Sequence, residues 1–188
     1  MRLLPLLLDQ GHQVVCSVRD ANRLSISEDL KKQIEIVVID FLQKVKPDAL
    51  PKDIDAAYYL IHSMSSSTSD FDEKEERAVK NFNTYLAPTN CKQVIYVGGI
   101  ANEQSLSKHL WSRKNVENIL YQGSAAVTVL RAAIIVGSGS ASFEIIRDLC
   151  EKLPLMVTPR WVKTKCQPIA IRDVLNYLTG VLGNKECY

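Results

Sequence analysis

The chain has 188 residues, of which 46% are hydrophobic and 23% charged, with a formal net charge of +2. This length suits one domain that buries a core without disulfides or metals. A charge so mild, with no Lys/Arg run, argues against a nucleic-acid surface.

The first segment, MRLLPLLLDQGHQVVCSVRD, carries an apolar run that is interrupted by Pro5 and ends at Leu8. No small-residue cleavage site follows, so it is not a signal peptide. It is also far short of the roughly 20 apolar residues of a membrane span. It reads as a helix that stops at Gly11, a favourable residue just past a helix end, followed by a strand.

Apolar, β-rich runs then recur: QVVCSV (13–18), IEIVVID (34–40), AAYYLIHS (56–63), QVIYVGG (93–99) and AVTVLRAAIIVG (126–137). They are nearly continuous rather than alternating, as in strands buried on both faces of a parallel sheet. Between them lie helical patterns. Residues 70–86 open on Asp70 as N-cap with Glu73 three residues on, then Phe71, Ala78, Phe82 and Tyr85 at helical spacing. The charged run DEKEER reads as the solvated face of this helix. Residues 105–121, 141–153 and 171–182 repeat the pattern, with Phe143, Ile146, Leu149 and Leu153 as the inner face of the third helix. Strand and helix alternate, so the fold class is α/β with a mainly parallel sheet in a single domain. Residues 154–168, rich in Pro and basic residues, read as an irregular excursion containing the Arg160, Lys163, Lys165 cluster.

The cysteines (Cys16, Cys91, Cys150, Cys166, Cys187) are dispersed and odd in number. No metal spacing is present. They fit a reducing, cytoplasmic compartment better than a disulfide framework. Cys16 reads as a strand residue and Cys150 as a helix core residue.

In an open α/β sheet, ligands bind beyond the carboxyl ends of the strands. The residues expected there are Arg19-Asp20, Asp40-Phe41, Ile61-His62-Ser63, Gly98-Gly99, and GSGSAS (137–142). Singly, each has a structural explanation, such as a turn cap or a tight turn. Together they place polar or small groups at successive strand ends, as a nucleotide needs: Gly permits close backbone approach, Arg suits a phosphate, and Asp suits a ribose. GSGSASFE resembles a glycine-rich phosphate loop at a helix start, but it lacks the Lys of a P-loop and the full GxGxxG spacing. It reads first as a turn with Ser140 or Ser142 as N-cap.

The blocks GHQVVCSVRD, AAYYLIHSM, VIYVGGI, LSKHLWSRKNVENIL, VTVLRAAIIVGSGSASFE and LPLMVTPRWVKTKCQPIAIRDV resemble, in the same order, a bacterial group of atypical NAD(P)-binding short-chain dehydrogenase/reductase (SDR) proteins, often sugar-epimerase-like. The resemblance implies a Rossmann-type sheet and a nicotinamide cofactor, NADP or NAD, with Arg19 tilting towards NADP. It assigns cofactor contacts to Arg19, Asp40, Ile61, His62, Ser63, Gly98, Gly99 and the Arg131 region. The family opens on a strand and a GxxGxxG loop, and this sequence begins within the helix that follows. The chain is therefore expected to be incomplete, to leave unpaired edges in the middle of its sheet, to bind NAD(P) weakly or not at all, and to self-associate through those edges. The family's Tyr-x-x-x-Lys frame falls on His109 and Arg113. That makes His109 the candidate acid–base and Arg113 the ribose holder, with Trp111 as packing. The implied activity is that of an oxidoreductase or epimerase-like enzyme on a small organic substrate, without nucleic-acid or membrane partners. The altered pair leaves a second reading open, a non-enzymatic cofactor-binding sensor or assembly module.

Overall fold

The computed structural model describes residues 2–46, 48–61, 71–100, 108–139, 141–153 and 165–188. In chain order these form α1 (Leu3–Asp9), β1 (Val14–Val18), a short α2 (Glu28–Lys31), β2 (Ile34–Val38), β3 (Ala56–Tyr59), α3 (Phe71–Leu86), β4 (Gln93–Gly99), α4 (Lys108–Leu120), β5 (Ala126–Ala132), β6 (Ile135–Val136), α5 (Ala141–Lys152), β7 (Ile169–Ala170) and α6 (Ile171–Gly180). This is the expected α/β alternation.

Helix α1 stops where the sequence says it should. Gly11 has φ +81°, a left-handed conformation that glycine adopts without strain. Its N–H donates to the Leu8 carbonyl at 2.9 Å, and the His12 N–H donates to the Leu7 carbonyl at 3.0 Å. These two bonds satisfy the last carbonyls of the helix in a Schellman arrangement and turn the chain into β1.

Every strand pair among the described residues is parallel, and the pairing falls into three pieces: β1-β2, β3-β4-β5 and β6-β7. Among the described residues no strand pairs β1 with β3. Apolar strands are covered on both faces. On one face Tyr59, Val94 and Tyr96 meet Val79, Phe82 and Leu86 of α3 and Val116, Ile119 and Leu120 of α4. On the other, Ile95 meets Val174 and Leu178 of α6, with Leu3 of α1 packed alongside.

Four sequence expectations are corrected. The run 126–137 is two strands, because Ile135–Val136 leaves the main sheet to pair with Ile169–Ala170. Glu75, in the charged run of α3, is buried rather than solvated; it accepts a hydrogen bond from the Ser112 hydroxyl of α4 at 2.5 Å. Trp111 is 52% exposed, pointing away from the packing assigned to it. Helix α5 turns Ile146, Leu149 and Leu153 outward, and Cys150 is exposed with them. The proposed caps Asp70 and Ser140, the side chain of Ser142, and the basic residues Arg160 and Lys163 lie outside the described residues.

Candidate functional site

The parallel strands of each sheet end on a common edge. Helix α1 runs back along β1, so its first turn lies near the carboxyl end of that strand. There the Arg2 guanidinium donates to the Ser138 carbonyl at 2.8 Å and to its hydroxyl at 2.6 Å. Ser138 lies two residues beyond β6, so the contact ties the start of α1 to the segment that leaves β6. This contact joins residues 136 apart in sequence, and no local pattern could have announced it.

Arg19 follows β1 and is exposed, and no described residue pairs with its guanidinium. The neighbouring carboxylates are occupied. Asp20 accepts from the Asn22 N–H at 2.9 Å, and Asp40, after β2, accepts from the Leu42 N–H at 3.0 Å. Both are local turns of the kind Asp favours. Ile61, after β3, is half-buried and packs against the α3–α4 core. His62 and Ser63 lie outside the described residues.

At the end of β4, Gly98 is buried, and a Cβ there would make ordinary contacts with Tyr96 and Val129 at 3.4 and 3.5 Å. Gly99 differs: a Cβ would lie 2.8 Å from Leu110 Cδ2. The missing side chain lets α4 approach the strand. Arg131, on β5 opposite Gly98, gives its guanidinium to the carboxylate of Glu117 on α4 at 2.6 Å. Glu117 is buried and also takes the Lys114 ammonium at 3.0 Å. Burying a carboxylate is costly unless it is paired, and these two cations pair it.

His109 and Arg113 stand one turn apart on α4, a spacing that shares a helix face. The side chain of His109 lies outside the described residues. Arg113 reaches back to β4, its guanidinium 3.5 Å from the Val97 carbonyl, while its own carbonyl takes the Tyr96 hydroxyl at 3.4 Å. Burial pushes the Tyr96 hydroxyl above its ordinary pKa, partly offset by Arg113, and pushes Tyr59 further still. Neither tyrosine is poised to ionise near neutral pH.

The arrangement offers a nucleotide a free cation at the end of β1 and the ends of five parallel strands. The anion-accepting capacity lies in Arg19, because Arg2, Arg113 and Arg131 are engaged within the protein. The residues therefore fit the sugar and phosphate part of a nicotinamide dinucleotide. Among the described residues no group of His, Cys, Asp and Glu could hold a metal ion, and no helix is long and apolar enough to cross a membrane.

Comparisons with known proteins agree with this geometry. Among solved structures, the chain is similar to a putative NAD-dependent epimerase/dehydratase from Bacillus halodurans (17% identity, 98% of this chain and 83% of that chain, TM-score 0.69). It is also similar to UDP-N-acetylglucosamine 4-epimerase from Bacillus cereus (17% identity, 98% and 68%, TM-score 0.71). A third is an enzyme from Bordetella bronchiseptica in complex with NAD+ (15% identity, 97% and 67%, TM-score 0.66). At such identities the likeness is one of fold: the Rossmann-type domain of SDR epimerases and dehydratases. No curated protein matches the chain. The NAD(P)H-binding family model matches residues 1–139, which is most of the sequence, and the chain accordingly belongs to the NAD(P)H-binding family, with a Rossmann-type fold.

Proposed function

We propose that the chain holds NADP or NAD at the carboxyl ends of β1 to β4, with Arg19 taking the 2′-phosphate of NADP. The parent site would act as an oxidoreductase or epimerase-like enzyme on a small organic substrate. The observation that supports this is the uncommitted guanidinium of Arg19, flanked by carboxylates that are already spent on turns. Arg is the side chain suited to a phosphate in this position of a dinucleotide fold. Ile61 would line the floor, and Gly98 leaves room for the cofactor to approach. His62 and Ser63 are assigned to the same edge by their place after β3. A bound nicotinamide supplies the hydride chemistry. The chain supplies His109 to move a proton at the reacting oxygen and Arg113 to hold the ribose.

Calorimetric titration with NADPH and NADH tests the cofactor reading. NADPH is expected to bind more tightly, and Arg19→Ala to remove the difference. Equal affinities in the unaltered chain, or no effect of Arg19→Ala, would refute the assignment.

A second reading, a cofactor-binding module without turnover, is favoured by one contact: Arg113 leans on the Val97 carbonyl of β4. Hydride exchange measured across a panel of ketones and nucleotide sugars separates the two. Tight NADPH binding with no exchange, and no effect of His109→Ala, selects the module.

A further inference from the structure

The contact between α3 and α4 is built largely from apolar side chains: Val79, Phe82 and Leu86 on one helix, Val116, Ile119 and Leu120 on the other. Glu75 of α3 stands out in it. Its side chain belongs to a residue only 5% exposed, and Ser112, whose hydroxyl donates to the Glu75 carboxylate at 2.5 Å, is 2% exposed. An apolar side chain would close such a contact at less cost, so packing alone does not account for an acid here. A carboxylate taken out of water is kept there by hydrogen bonds together with an opposite charge.

Arg113 lies where it supplies that charge. The Tyr96 hydroxyl donates to the Arg113 carbonyl at 3.4 Å, and the half-buried Arg113 guanidinium donates to the Val97 carbonyl at 3.5 Å. The ring of Tyr96 is 6.0 Å from that of Tyr59 on β3. Burial raises the pKa of both phenols; beyond that, the Glu75 carboxylate raises both and the Arg113 guanidinium lowers both. Opposite charges that act on the same two hydroxyls share one pocket. Helix α4 is thus gripped at successive residues, by Glu75 of α3 at Ser112 and by Tyr96 of β4 at Arg113. Glu117, also buried, does not compete for this role, because it is paired with Lys114 and Arg131.

We propose that Glu75 is a positioning residue for Arg113: its carboxylate, anchored on Ser112, holds the Arg113 guanidinium inward over Tyr96 at the carboxyl end of β4. Without that charge the guanidinium gains solvation by swinging outward on its flexible stem. The proposal rests on the reading that Arg113 holds the cofactor ribose, and it makes the geometry of that hold a property of α3 as well as of α4.

The test uses the full chain and needs no ligand. Phenylglyoxal modifies guanidinium groups that solvent can reach, and peptide mass spectrometry reads the rate at each arginine. Glu75→Gln keeps the shape and an oxygen for the Ser112 hydroxyl while removing the charge. In that variant Arg113 should react about tenfold faster, as expected when one coupling within a charged network is lost. Arg131, held by Glu117, should keep its rate. Glu75→Asp, which restores the charge on a shorter stem, should recover part of the protection. Should Glu75→Gln fail to fold, Ser112→Ala carries the same comparison: the charge stays but loses its anchor, and Arg113 should react about threefold faster with Arg131 unchanged. An unchanged rate at Arg113 in the folded variant would overturn the proposal. So would an equal rise at Arg131, which marks a general loosening of α4.

NADPH affinity, measured alongside, separates the proposal from the reading beneath it. Loss of affinity in Arg113→Ala, with Arg113 reactivity unmoved in Glu75→Gln, overturns the positioning role and leaves the ribose reading standing. A faster Arg113 in Glu75→Gln, with unchanged affinity in Arg113→Ala, supports the positioning role and overturns the ribose reading.

Discussion

The Gln93 side-chain amide donates to the Thr128 hydroxyl at 2.8 Å, joining β4 to β5 in the buried centre of the sheet. The same amide donates to the Val181 carbonyl at 2.9 Å, and its oxygen accepts from the Gly183 N–H at 2.8 Å. Thr128 passes the network on to the Cys187 carbonyl at 2.9 Å. Two polar side chains inside an apolar sheet thus anchor the segment that follows α6. Gln93→Leu keeps the volume but strands these groups, and leaving a buried donor or acceptor unmet costs about 1–3 kcal/mol. The variant is expected to lose about 3 kcal/mol in urea unfolding, with residues 181–187 becoming accessible to protease first.

Glycines near the strand ends should separate by what surrounds them. A Cβ on Gly137 would lie 2.5 Å from Ile171 Cγ2 and 3.0 Å from its Cβ, and a β-branched side chain has no free rotamer to yield. Gly137→Ala is expected to cost about 2 kcal/mol as an overpacked contact. At Gly99 the clash is with the flexible tip of Leu110, so Gly99→Ala should cost less. Gly98→Ala should be nearly neutral in thermal unfolding, because the added methyl meets Tyr96 and Val129 at ordinary contact distances.

Tyr58 gives a pH prediction. Its hydroxyl donates to the Leu178 carbonyl of α6 at 2.9 Å, and burial raises its pKa to about 12 from the usual 10.0. A group whose pKa is higher in the folded state favours folding fully below its unfolded pKa and loses that contribution as pH rises through the folded value. Stability should therefore fall between pH 10 and about 12. Tyr58→Phe should flatten part of that slope and cost about 1 kcal/mol at neutral pH for the lost bond. An unchanged slope in chemical denaturation across this range would refute the assignment.

Arg131 distinguishes a structural cation from a ligand contact. Its partner Glu117 is buried and would keep only Lys114 after Arg131→Met. The variant should lose about 2 kcal/mol of stability with NADPH affinity unchanged. A tenfold loss of affinity at full stability would instead place Arg131 at the cofactor.

The strands and the stop at Gly11 were legible because both signals are local: continuous apolar runs, and a residue that tolerates positive φ. The junction inside 126–137 was not legible. Its apolarity is unbroken, and only the pairing of Ile135 with Ile169 shows that a second strand has begun. The periodicity of α5 reported a helix correctly but carries no word on whether a partner covers Ile146 and Leu149. The candidate site was legible to the same depth. Topology located the strand ends, whereas the engagement of Asp40 with Leu42 and of Arg131 with Glu117 depends on the folded contacts.

The gap in the sheet also governs how the molecule comes apart. No strand-to-strand hydrogen bond crosses it among the described residues, so β1-β2 with α1 and β3-β4-β5 with α3 and α4 are expected to open separately in hydrogen exchange. The larger core belongs to the second unit, and Arg19 belongs to the first. A ligand held by Arg19 would therefore be felt less as a change at one residue than as a delay in the opening of the weaker unit.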